Sequence, residues 1–122
     1  MRGIGAYVKN RATTAPKTEV VRLLFGEAVK RLKRVQTLPS DHEGWIGETH
    51  HVRAILLELR AGLNRDASPE MTDRLMALYS WAIEELMTSA NEREPSRIEP
   101  VVDVLETLLD GWRQAMALES AP

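Results

Sequence analysis

A chain of 122 residues, 43% apolar and 28% charged, suits a single domain that buries its own core. It holds no cysteine, which excludes disulfide frameworks, thiolate zinc sites and cysteine nucleophiles together. The net charge of −2 hides an asymmetry: residues 1–36 carry nine Lys and Arg against two Glu (+7), and residues 37–122 carry seven bases against sixteen acids (−9).

Residues 1–15, with two Gly, a Thr pair and few apolar groups, read as a mobile N-terminal arm. From Pro16 the pattern changes. Val21, Leu24, Ala28, Leu32 and Val35 recur with the period of one helix face, and Pro16 suits a first turn, where its missing N–H is not needed. Leu38 before Pro39 ends that helix, because proline pushes its predecessor out of the helical region.

A second helix is predicted from Asp41–Trp45 to about Leu63, with Trp45, Val52, Leu56, Leu59 and Leu63 close to one face and Ile55 beside them. Asn64 to Ser68 reads as a polar loop, and Ser68-Pro69 supplies an N-cap and a first-turn proline for a third helix. That helix carries Met71, Leu75, Leu78, Tyr79, Ala82 and Leu86, and Asn91 is its expected stop. The last helix carries Ile98, Val101, Val102, Leu105, Leu108, Leu109 and Trp112. Pro100 requires that it begin near Glu99 or bend in its first turns. Strand-like alternation, internal repeats and low-complexity segments do not occur. The expected architecture is all-α: an antiparallel four-helix bundle over residues 16–118, preceded by the short arm 1–15.

Chemistry-bearing motifs are few. Glu48-Thr49-His50-His51 contains Glu-x-x-His, but a two-metal bundle site needs that motif twice, and His42 has Pro39 three residues before it instead of Glu. A histidine phosphotransfer bundle has similar length, yet Val52-Arg53-Ala54-Ile55 after His50 and His51 lacks the lysine and glycine expected there. The cluster Lys30, Arg31, Lys33, Arg34 reads as a nucleic-acid patch or as a solvated face that attracts the acidic remainder of the chain. The acidic balance and scarcity of aromatics favour the second reading, so no nucleic-acid partner is expected. No phosphate loop or nucleophile elbow is present, and neither catalysis nor a cofactor or metal is expected. No apolar run approaches the ~20 residues of a membrane span, and no signal-peptide stretch opens the chain, so the cytoplasm is the expected compartment without membrane insertion.

From about Gly3 to Ala115 the order of short motifs resembles the flagellin export chaperones, the FliS family. Gly3-Ile4-Gly5-Ala6-Tyr7 is similar to that family's N-terminal motif, Thr14-Ala15-Pro16 to its Thr-Ala-Ser-Pro segment, and Leu23-Leu24-Phe25-Gly26-Glu27-Ala28 to its Met-Leu-Tyr/Phe-Asp-Gly-Ala. Leu59 to Asn64 is similar to the end of its second helix. Leu75 to Trp81 resembles its Asn-Leu-x-x-Leu-Tyr-x-Tyr stretch, Leu86, Ala90 and Asn91 its Leu-x-x-Ala-Asn end, and Ile98, Val101, Leu105, Leu108 and Trp112 its last helix. The chain departs from the pattern at Pro16, Gly26-Glu27, Arg74, Trp81 and Pro100.

The resemblance implies a chaperone, monomeric or weakly dimeric, that binds the disordered C-terminal region of flagellin, prevents its polymerisation and delivers it to the flagellar type III export gate. It implies that the arm caps the client groove, leaving Ile4 and Tyr7 to contact the cytoplasmic domain of the membrane-embedded gate protein once displaced. The alternative for Tyr7 is plain packing on the bundle. Apolar helix positions off the main core stripe, Ile55, Leu57, Met76, Ile83 and Met87, with the half-polar aromatics Tyr79 and Trp81, are the candidate groove residues. At each of them core packing is the competing role. The rival functions are a phosphotransfer bundle and a helical adaptor for another secreted partner.

Overall fold

The computed structural model describes residues 17–63 and 68–120, with side chains at 17, 18, 115, 116 and 118–120 set aside. Four helices follow in order: α1 (Lys17–Thr37), α2 (Glu43–Ala61), α3 (Pro69–Glu92) and α4 (Ile98–Ser120), with a 3-10 turn at Pro95–Arg97. No strand occurs among the described residues, and the all-α bundle expected from periodicity is what forms. The arm 1–15, with Ile4 and Tyr7, lies outside the described residues.

Each boundary has a local cause. Glu19 in the first turn of α1 and Arg34 in its last complement the helix dipole. His42 caps α2: its Nδ1 accepts a hydrogen bond from the Gly44 N–H at 2.9 Å. Pro69 occupies the first turn of α3. The same helix runs past Asn91 and stops when Arg93 adopts the left-handed conformation (φ 50°). There the Glu94 N–H donates to the Ser89 carbonyl at 3.1 Å, and the Ser89 hydroxyl donates to the Glu94 carbonyl at 2.8 Å. The 3-10 turn resolves the Pro100 conflict: α4 begins at Ile98, so Pro100 falls in its first turn, where no intrahelical N–H is required.

The core is one continuous cluster drawn from all four helices. Trp45, Leu32, Ile55, Leu56, Leu86, Ile98 and Leu105 are its largest fully buried side chains. The Phe25 ring of α1 meets the Tyr79 ring of α3 at 6.1 Å between centroids, tilted by 49°, an arrangement worth about 0.5–1.5 kcal/mol beyond its burial. Buried Thr49 donates its hydroxyl to the Trp45 carbonyl one turn back, at 2.7 Å.

Helix contacts are unequal. α2 packs closely on α3 and on α1, and α1 packs closely on α4, but α3 and α4 meet sparsely along their length. The bundle is therefore an arc in the order α4–α1–α2–α3, closed by a loose seam between its two ends. Ion pairs reinforce the arc and the loop end of the seam. Arg31 joins Glu27 at 2.9 Å and, across to α2, Glu48 at 3.0 Å; Arg97 reaches Glu85 of α3 at 3.2 Å.

Candidate interaction surface

A bundle that satisfies itself leaves only scattered apolar groups outside, so contiguous ones are informative. Among the described residues the exposed large hydrophobics are Leu57, Met71 and Met87, at 38%, 54% and 41% exposure. Two of the three belong to α3, and Leu57 lies on its neighbour α2.

The first flank of α3 faces α2. There Arg60 Nη1 donates to Ser80 Oγ at 3.2 Å, which fixes the register of the two helices. Met76 lies one turn before Ser80 and Met87 two turns after it, on the same side of α3, while Leu57 lies one turn before Arg60. Leu57, half-buried Met76 and Met87 thus border an outward ridge along the α2–α3 joint.

On its second flank α3 faces α4, across the loose seam. Leu78 of α3 and Asp103, Val104, Thr107 and Leu108 of α4 line a shallow, mainly apolar channel of about 250 Å³. Leu75 and Leu108 are partly buried against the core beneath it. Met71, seven residues before Leu78, extends the same stripe into solvent. Trp81 sits between Leu78 and Glu85 in helical register, and Glu85 holds Arg97, so Trp81 belongs to this flank too, partly buried against the core.

The candidate groove residues therefore separate. Leu57, Met76, Trp81 and Met87 reach the surface in whole or part, whereas Ile55, Tyr79 and Ile83 are buried, at 0%, 3% and 7% exposure. Ile55 lies seven residues after Glu48, on the flank of α2 that α1 covers through Arg31. Tyr79 and Ile83 lie inside because α3 is flanked on both sides and meets Phe25 of α1 across the core. Burial raises the Tyr79 hydroxyl pKa to about 12, so this phenol stays neutral at any physiological pH. Sequence periodicity assigned Leu78, Leu108 and Met71 to core stripes and overlooked Val104. The available signal was an apolar arc on α3, from Met71 to Leu86, broader than one neighbouring helix can cover.

A second groove, of about 370 Å³, lies between α1 and α4 over Gly26, Val29 and Leu109. Two ion pairs stand on its rim: Lys33 meets Glu106 at 3.2 Å and Arg113 meets Asp110 at 3.9 Å. His50 is exposed. His51 is half-buried, its Nε2 buried without a hydrogen-bond partner, and burial followed by the nearby Arg31 charge lowers its pKa below the usual 6.5. No three groups of His, Asp or Glu come together as a metal-ligand set among the described residues, and no described helix is long and apolar enough to cross a membrane.

Known proteins similar to this chain point one way. A family model described as flagellar protein FliS matches residues 1–119. The flagellar secretion chaperone FliS of Escherichia coli strain K12 is 23% identical over 122 residues, covering 94% of this chain and 90% of that protein. Its counterpart from Campylobacter jejuni is 27% identical over 112 residues, covering 89% and 87%. A solved structure of a bacterial flagellar chaperone superposes with a TM-score of 0.77 at 24% identity, covering 96% of this chain and 97% of that one, which speaks for the fold.

Proposed function

The chain belongs to the FliS family of flagellar secretion chaperones, and from that premise we propose that it binds the disordered C-terminal region of flagellin in the cytoplasm. Binding keeps that region from polymerising until export. The observation that carries the reading is the apolar surface left uncovered on both flanks of α3, the seam channel at Leu78, Val104 and Leu108 and the ridge at Leu57 and Met87. An amphipathic client segment becomes helical on such a surface by placing apolar anchors in the channel. Ordering it costs about 2–5 kcal/mol, which requires a long contact.

Methionines suit this task. Unbranched thioethers repack around varied anchors, so Met71, Met76 and Met87 give the surface tolerance without cavities. Delivery is assigned to the arm: Ile4 and Tyr7, outside the described residues, cap the client surface in the free protein and contact the export gate once displaced. Tyr7→Ala is expected to leave folding intact and to reduce flagellin secretion; unchanged secretion removes the arm from the mechanism. No step needs a cofactor or a covalent bond.

Calorimetric titration with the C-terminal segment of the host's flagellin tests the core of the proposal. One-to-one binding with a negative heat-capacity change is the expected result, since apolar burial sets that sign. A flat titration removes flagellin as the client and returns the α3 surface to an unassigned secreted partner.

A further inference from the structure

We propose that Met71 and Met87 form a reversible oxidation switch on the α3 docking surface, an inference that rests on the flagellin reading above. The chain has no cysteine, so thioethers are its only oxidisable sulfur. Of its five methionines, the three whose side chains are described all lie on α3. Exposure grades them: Met71 is 54% exposed, Met87 is 41% exposed, and Met76 is half-buried. The two most accessible of the described thioethers thus stand one on each flank of the helix proposed to receive the client.

The chemistry needs only a peroxide. One peroxide oxygen is transferred to sulfur, which loses two electrons and becomes a sulfoxide, while the peroxide is reduced to water. A dithiol-dependent methionine sulfoxide reductase reverses the step: the sulfoxide returns to thioether, the oxygen leaves as water, and the dithiol becomes a disulfide. The modification converts an apolar, adaptable anchor into a strong acceptor. Buried under a client helix, that oxygen loses the water that solvates it, a cost the thioether does not carry.

Location decides what is lost. Both side chains lie outside the buried cluster that holds the four helices together, so the sulfoxides leave the bundle standing. Binding is the property that changes.

The test treats the full-length chaperone alone with dilute hydrogen peroxide, removes the peroxide, and then adds untreated flagellin C-terminal segment. Peptide mass mapping is expected to find one added oxygen on Met71 and on Met87 before Met76. The thermal transition stays in place, and affinity falls roughly tenfold for each sulfoxide the client covers. Methionine sulfoxide reductase restores it. In the double variant Met71→Leu with Met87→Leu, the affinity before and after peroxide agrees within about twofold, whatever its starting value. Undiminished binding by the oxidised protein overturns the switch, as does an equal loss in the double variant, which assigns the effect to another methionine. Failure of the untreated protein to bind is a separate result: it removes the flagellin reading, and the switch falls with it.

Discussion

Leu57→Ala and Met87→Ala separate the docking role of the α2–α3 ridge from a packing role. At 38% and 41% exposure each side chain offers roughly 70–80 Å² to a partner, worth about 2 kcal/mol if fully covered. Truncation to Ala keeps the Cβ, so each substitution is expected to forfeit ~1.5 kcal/mol, about tenfold in Kd. The two positions belong to one ridge and share a client segment, so the double variant loses less than the product of the singles. Folding stability should move by less than ~1 kcal/mol, because neither side chain is in the buried cluster. Ile55→Ala supplies the contrast: fully buried, it is expected to cost about 2–5 kcal/mol of stability. Calorimetric titration with the flagellin C-terminal segment and urea unfolding of the same preparations read both quantities. Unchanged affinity in the Leu57→Ala, Met87→Ala double variant, with the fold intact, refutes the α2–α3 ridge as a docking surface.

Three further outcomes follow from the packing. With its pKa raised to about 12, Tyr79 is neutral in the folded state where an unfolded tyrosine ionises near 10; the stability it contributes is complete below pH 10 and lost as the pH climbs towards 12. Tyrosinate absorbance of a Tyr7→Phe variant follows this one phenol, and ionisation near pH 10 in a still-folded chain contradicts the burial. For His51 the sign is opposite. Its folded pKa lies below 6.5, so its contribution is complete above that pH and shrinks as the pH falls through the interval beneath. His51→Gln should therefore flatten the difference between urea midpoints at neutral and mildly acidic pH; an unaltered difference removes His51 as its source. Finally, a Cβ added at Gly26 meets nothing within 4 Å, so Gly26→Ala should stabilise by about 0.5–1 kcal/mol through helix propensity alone. A lower melting temperature would mean that the α1–α4 groove is tighter than its geometry indicates.

Helix number and the main stripes were legible because each helix carries an apolar period strong enough to outlast local exceptions. Ends were less so. Asn91 has the chemistry of a stop, yet the helix closes on Arg93, where Ser89 and Glu94 exchange two hydrogen bonds that no single-residue preference encodes. Pro100 posed a real conflict, and a three-residue 3-10 turn resolved it by shifting where the helix begins. The surface was the least legible part. A stripe tells which side of a helix is apolar, but not how wide an arc its neighbours cover. Tyr79 and Ile83 therefore went inward under α1 and the flanking helices, while Met71, counted with the core, came out into solvent.

The loose α3–α4 seam has a mechanical consequence. At the loop end the connection is held by Arg97 of the 3-10 turn on Glu85 of α3, and the paired bonds of Ser89 and Glu94 fix how the chain leaves α3. Away from that clasp, few contacts resist a change in their separation. Such a hairpin acts as a spring clip: a small rotation at the clasped corner becomes a larger displacement at the open end of the pair, near Met71. The gap can then conform to the thickness of whatever segment it grips, while the α1–α2 side of the molecule keeps its shape.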